Sequence, residues 1–179
     1  MKENITIHGL SFRPYLSREQ IAVKVAEMGR LISRDYQGKR PLFLAVLNGA
    51  FVFAADLIRA CDVDCAITFI RLASYEGLNS SGTVKTVIGL QDDLQGRDVI
   101  IIEDIVDTGH TMSQFIPQLE QLGPASIAVA SLLVKTEALE CEVDIRYVGF
   151  EIPTKFVIGY GLDYDGLGRN IPDIYQLAD

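Results

Sequence analysis

Residues 99–112 read Val-Ile-Ile-Ile-Glu-Asp-Ile-Val-Asp-Thr-Gly-His-Thr-Met, and two kinds of chemistry meet there. Glu103 and Asp104 are acceptors, suited to a sugar diol or, through it and water, to a hard cation such as Mg²⁺. Asp107-Thr108-Gly109-His110-Thr111 is a short polar loop with one glycine. Behind it Met112, Phe115, Ile116, Leu119 and Leu122 recur at helical spacing until Gly123-Pro124 stops the run. A polar loop that opens a helix presents free backbone N–H groups, and the hydroxyls of Thr108 and Thr111 add donors, so the loop suits a phosphate. The helix dipole contributes only about 0.3–1 kcal/mol, which leaves the donors to hold the anion. Diol acceptors beside phosphate donors describe a sugar-phosphate site. The plain alternative is an acidic βα-loop of some other doubly wound protein. A nucleoside-triphosphate loop is a poor match, because no Gly-x-x-x-x-Gly-Lys-Ser/Thr occurs.

These groups need elements to position them. The β-branched run that ends at Glu103, bounded by Gln95-Gly96-Arg97-Asp98, reads as a central strand buried on both faces. Pro117 fits the following helix only near its first turn. Residues 42–47 are a second buried strand, and Asn48-Gly49-Ala50 turns from it into a helix carrying Phe51, Ala55 and Ile58. Upstream, Ser17-Arg18-Glu19-Gln20 is a capping box, and Ile21, Val25, Met28, Leu31 and Ile32 continue it as an amphipathic helix ending near Gly38. An edge strand is expected near residues 5–7. Residues 65–72 and 84–90 read as strands on either side of a Gly- and Ser-rich gap, residues 74–82. Residues 126–134 form another apolar strand that ends in Lys135-Thr136. Residues 147–151 make a short one, with a brief apolar continuation at Ile158-Gly159-Tyr160.

Composition bounds what the chain can be. With 179 residues, 49% of them hydrophobic and 22% charged, it is one globular domain with enough apolar surface for a real core. A net charge of −8 argues against a nucleic-acid surface, so anionic substrates must be met by local donors and metal. Cys61, Cys65 and Cys141 are too few, and odd in number, for a disulfide framework. No cationic segment followed by an apolar core opens the chain, and a reduced, cytoplasmic setting is expected. The one stretch of membrane-span length, residues 41–60, is broken by Asn48-Gly49 and charged by Asp56 and Arg59, so no membrane partner is expected.

Residues 99–112 resemble the 5-phosphoribosyl-1-pyrophosphate (PRPP) motif of type I phosphoribosyltransferases. Other segments, among them Leu132-Leu133-Val134-Lys135, narrow the resemblance to the hypoxanthine-guanine phosphoribosyltransferase family, over about residues 42–176. The resemblance implies an α/β fold with a mostly parallel central sheet flanked by helices, in a single domain over residues 1–179. Its core would span about residues 38–150, and a small hood would come from about 1–16 and 151–179. It implies Mg²⁺-dependent transfer of the phosphoribosyl group from PRPP to N9 of hypoxanthine or guanine, giving IMP or GMP and pyrophosphate. It also implies a homodimer or homotetramer.

Residue by residue, the resemblance makes Asp107 the general base for the purine N7 proton and residues 107–111 the anchor of the 5′-phosphate. Glu103 and Asp104 would orient the ribose and, with Asp163, associate with Mg²⁺. Lys135 would read the 6-oxo group, Phe156 would stack on the purine, the backbone of Val157 would face the base edge, and Arg169 would bind pyrophosphate. The turn at Asn48 and Gly49 corresponds to the family's Leu-Lys-Gly-Gly pyrophosphate loop, with Asn48 in place of the basic residue and Ala50 in place of the second glycine. A cis peptide at Leu47–Asn48 and a closing lid that starts with Ser74-Tyr75 are further implications. Taken from composition alone, Lys135 is a solvated strand end and Phe156 a core residue. Asp163, Asp165 and Arg169 are an acidic surface loop, and residues 74–82 a long hairpin connection. Two other functions stay open: a PRPP- or nucleotide-sensing regulator, and a sister enzyme for adenine, xanthine or a pyrimidine. A lysine that needs an acceptor favours a 6-oxopurine over adenine.

Overall fold

The structure, a computed structural model, describes residues 3–74, 84–88 and 90–178. The chain opens with a hairpin of β1 (Ile5–Ile7) and β2 (Leu10–Leu16), followed by helix α1 (Arg18–Asp35). Ser17 and Gln20 form the expected capping box, each side chain bonding the other's backbone N–H. Strand β3 (Leu42–Leu47), helix α2 (Phe51–Ala60), β4 (Ala66–Ser74) and β5 (Val84–Ile88) come next. Then follow β6 (Asp98–Val106), helix α3 (His110–Glu120), β7 (Ser126–Val134) and β8 (Tyr147–Glu151), and the chain closes with β9 (Val157–Ile158) and β10 (Ile174–Leu177).

Two sheets result. The larger has the order β5-β4-β3-β6-β7-β8 and the smaller β1-β2-β10-β9. All pairings in the larger sheet are parallel except that of β5 with β4, whereas the smaller sheet is antiparallel throughout. The fold is therefore α/β with a mostly parallel central sheet, as the resemblance implies.

Alternation along the central strands explains the layering. Phe43, Ala45, Ile100 and Ile102 pack with α1 and α2 on one face, while Leu42, Leu44, Val99 and Ile101 pack with α3 on the other. Gly29 of α1 allows this, because a Cβ there would collide with the backbone of Ala60 in α2. The chain steps outward from β3 to β4 and β5, then returns to β6 on the opposite side of β3. That reversal opens a crevice at the carboxyl ends of β3 and β6.

Three local expectations change. Helix α3 runs through Pro117 and ends at Glu120, so the proline lies in its second half. Burial of Phe115 and Leu119 against the sheet holds the turn that has lost a backbone donor. In α2 the inward residues are Phe53, Ala54 and Leu57, and Phe51 is 44% exposed. Almost every position of α2 is apolar, so spacing alone does not set the helix phase. Leu31 and Leu122, expected on buried faces, are also exposed.

Candidate active site

The crevice at the carboxyl ends of β3, β6 and β7 holds a cavity of about 290 Å³. Gly49, Asp104, Asp107 and Lys135 line one part of it, and Phe156, Val157, Asp163 and Arg169 another. These residues come from four separate stretches of the chain, and the parallel register is what gathers them. Because Val106 pairs with Val134, the next residue on each strand, Asp107 and Lys135, stand side by side.

Lys135 is buried, and its Nζ donates to Asp107 Oδ2 at 2.5 Å. The lysine is thus not a solvated strand end. Its backbone N–H also donates to Val106 O at 2.9 Å, which fixes the start of the polar loop. Gly109 has φ 84° and stands directly before α3, where no side chain caps the helix. The first N–H groups of α3 are therefore left for a ligand, with Thr108 and Thr111 beside them. The loop is clamped from behind: the N–H groups of Glu140 and Cys141 both donate to Thr108 O, at 2.9 and 3.2 Å. His110, the first helical residue, turns its ring toward Glu140 and Cys141.

The two acids that end the strand are in different positions. Glu103 is 8% exposed, and its Oε2 is buried with no hydrogen-bond partner. Burial, with Asp104 adding repulsion, pushes its carboxyl well above the ordinary range. Burial also pushes Asp104 up to about 6, against the pull of its bond from Ile105 N–H and of Arg169. Arg169 pairs with Asp163 at 2.8 Å and donates a second bond to Gly161 O, also at 2.8 Å. The other oxygen of Asp163 accepts from Gly166 N–H.

The turn after β3 carries a cis peptide at Leu47–Asn48, as the resemblance implies. Asn48 is exposed, and Gly49 lies so close to the Asp104 carboxylate that a Cβ would collide with it. Phe156 is 42% exposed, not core, and stands edge-on to Tyr164 at 5.7 Å and tilted against Phe12 at 6.3 Å. Val157 is buried and pairs with Gln176 in the smaller sheet. Ser74 ends β4 opposite Val84. Tyr75 and the rest of the expected lid, residues 75–82, lie outside the described residues.

Ile105 and Leu162 also line the cavity and were not singled out from the sequence. Ile105 is an apolar residue near the end of an apolar strand, and only its place between Asp104 and Asp107 signals the site. No group of three or more His, Cys, Asp or Glu among the described residues could hold a metal by itself. Likewise, no described helix is long and apolar enough to cross a membrane.

Comparison with known proteins agrees with this geometry. A family model described as "Phosphoribosyl transferase domain" matches residues 14–165. A hypoxanthine-guanine phosphoribosyltransferase of Aquifex aeolicus is 38% identical over 181 residues, covering 100% of both chains. A Bacillus anthracis hypoxanthine-guanine phosphoribosyltransferase, solved with HEPES in its active site, superposes with a TM-score of 0.87 at 37% identity, covering 93% of this chain and 96% of that one. A Trypanosoma cruzi hypoxanthine phosphoribosyl transferase gives a TM-score of 0.89 at 34% identity, covering 97% and 95%. By strand order, acidic strand end and these likenesses together, the chain belongs to the phosphoribosyltransferase family, in its hypoxanthine-guanine branch.

Proposed function

We propose that this chain is a purine salvage enzyme that transfers the 5-phosphoribosyl group from PRPP to N9 of hypoxanthine or guanine, giving IMP or GMP and pyrophosphate. The observation that carries the base preference is the Lys135–Asp107 pair on the wall of the cavity. A 6-oxopurine has an acceptor at O6 next to the N7 position. A cation and a carboxylate side by side match that pair of atoms, with Lys135 donating to O6 and Asp107 accepting the N7 proton. Phe156 and Ile105 supply apolar surface for a flat ring, and the backbone of Val157 completes its edge.

The remaining residues fit the other half of the reaction. The uncapped start of α3, with Thr108 and Thr111, holds the 5′-phosphate. Backbone amides of the turn at Asn48 and Gly49, and Arg169, take the pyrophosphate. Asp104 on the cavity wall, with Glu103 beside it, accepts from the ribose hydroxyls. Carboxylates near the ring also stabilise the positive charge that the sugar develops as its bond to pyrophosphate breaks. Asp107 takes the N7 proton late, once bond formation at N9 has made it acidic. Such help is worth about 10²–10⁴ in rate.

Asp104 and Asp163 on the cavity wall, with Glu103 beside Asp104, are oxygen donors of the kind Mg²⁺ takes. A cation held there would share its shell with substrate oxygens and water. When bound, Mg²⁺ offsets charge on the leaving pyrophosphate. The same reading places the enzyme in the cytoplasm as a homodimer or homotetramer. Its three free cysteines suit a reducing compartment, and light scattering tests the assembly.

The test is a steady-state assay with PRPP, Mg²⁺ and a panel of free bases. Turnover with hypoxanthine and guanine, with adenine and uracil inert, is the expected result. Turnover confined to adenine or a pyrimidine would overturn the base assignment, and none with any base would point to the sensing function instead.

A further inference from the structure

Behind the phosphate loop lies a second constellation with chemistry of its own. Cys141 Sγ is 3.0 Å from His110 Nδ1, and His110 Nε2 is 2.8 Å from Glu140 Oε2. A carboxylate only accepts, so the neutral ring carries its proton on Nε2 and turns the Nδ1 lone pair to the thiol. Nucleophile, base and an acid that orients the base therefore stand in line, so the ring is placed to accept the thiol proton. The other two cysteines lack it. Burial pushes Cys61 up to about 12, and burial with the nearby Asp64 raises Cys65. The second histidine of the chain, His8, bonds Asp165 and no thiol.

We propose that Cys141 is a thiol modification site, a nucleophile poised by His110 and Glu140 that hydroperoxides oxidise to a sulfenic acid, and that this oxidation disarms the phosphate loop. In the step the Cys141 proton passes to His110 Nδ1, and the thiolate attacks one oxygen of the peroxide. The S–O bond forms as the O–O bond breaks, so sulfur loses two electrons and the peroxide gains them. The released hydroxide, or the alkoxide of an organic hydroperoxide, takes the proton back from Nδ1 and leaves as water or the alcohol, which restores the neutral imidazole.

The consequence for the loop follows from contacts on both sides of the sulfur. With Nδ1 at 3.0 Å there is no room for an oxygen between the two atoms, so a sulfenic acid that keeps its hydrogen bond to Nδ1 pushes the ring of His110 away. His110 is the first residue of α3, and its N–H belongs to the donors assigned to the 5′-phosphate. The backbone is coupled too, since Cys141 N–H donates to Thr108 O, and Gly109 packs under Cys141 O. This effect on binding rests on the reading of residues 107–111 as the phosphate anchor, whereas the reactivity of the thiol does not.

Two measurements on the full chain separate those parts. The first labels the native protein with limiting iodoacetamide and follows each cysteine by peptide mass spectrometry. Cys141 should react at least about tenfold faster than Cys65 although Cys65 is the more exposed, Glu140→Gln should slow it several-fold, and inorganic phosphate should protect it. Equal or faster labelling of Cys65, or no change in Glu140→Gln, would overturn the constellation. The second measurement treats the enzyme with hydrogen peroxide and assays transfer. The KM for PRPP should rise several-fold and recover with dithiothreitol, while Cys141→Ser should keep full activity and ignore peroxide. Peroxide inactivation that persists in Cys141→Ser, or oxidation of Cys141 with no change in KM, would overturn the link to the loop. Absence of any transfer in the untreated protein would instead sink the proposed function, with the labelling result still standing on its own.

Discussion

Strands β3 and β6 lie side by side at the middle of the sheet, Leu42 opposite Val99 through Ala45 opposite Ile102, and each runs into a helix whose first turn has no side-chain cap. From there the two units part. The loop after β6 presents groups: an exposed Asp107, two threonine hydroxyls, and a left-handed Gly109 that aims the first amides of α3. The turn after β3 presents only its backbone amides and an exposed Asn48. Its Gly49 has no room for a Cβ beside Asp104, and Gly161 likewise has none beside Gly49 O. One unit supplies the polar side chains of the site, and the other supplies backbone amides and the clearance that lets a ligand reach them. A strand–loop–helix unit is thus a neutral device whose use is set by the few residues at its bend.

The sharpest way to break that contrast is to disarm the presenting loop. Asp107→Asn keeps the size of the side chain but cannot take the N7 proton, so kcat should fall by about 10²–10⁴, with PRPP affinity held within a few-fold. An unchanged kcat with hypoxanthine would remove Asp107 from the chemistry. On the other unit, Gly49→Ala adds nothing but volume. It should cost at least about tenfold in kcat/KM for PRPP, because the Asp104 carboxylate or the turn must shift. If Gly49→Ala is as active as the parent, the clearance argument fails and the turn is a plain connection.

Lys135→Ala probes the seam between β6 and β7. A charged hydrogen bond to a carbonyl is worth about 1.5–3 kcal/mol, so KM should rise by about 10–150-fold for hypoxanthine and guanine together. A change for one base only would mean that the lysine reads something other than the shared 6-oxo group.

How much of this was legible in the sequence follows the same division. The presenting unit shows itself through residue types, since acids, hydroxyls and a glycine after a β-branched run have few other uses. The clearing unit does not, because the value of Gly49 depends on Asp104, far along the chain. Helix α1 was legible through Ser17 and Gln20, whose reciprocal bonds are local. Helix α2 was legible in place but not in phase, because apolar residues such as Phe51 and Ala55 also occupy its outer face. The pairing of Lys135 with Asp107 waited on the β6–β7 register. The Cys141–His110 contact depends on how the segment after β7 folds back against the loop, which no periodicity reports.

The smallest predicted effect concerns stability. Asp104 carries a carboxyl raised from 3.8 to about 6, chiefly by burial, so its charged form is disfavoured in the folded protein. The sign follows from proton binding: between those values the folded state holds the proton that the unfolded chain has lost. This contribution to stability is therefore fully present below pH about 4 and is lost as pH rises through about 6. The ceiling is roughly 3 kcal/mol, and loss of the charge-assisted bond from Ile105 N–H leaves a net gain near 1 kcal/mol for Asp104→Asn. Thermal melts of the ligand-free protein should show the variant more stable than the parent by a few degrees at about pH 7.5, with the difference closing by about pH 4. PRPP affinity should fall in the same variant, since an amide accepts less well from a ribose hydroxyl. The acidic end of β6 would then be a place where stability is given up for binding. A variant that melts lower than the parent at about pH 7.5 would mean that Arg169 and Ile105 more than offset the burial of Asp104, and the acidic strand end would have to be counted among the elements that hold the fold together.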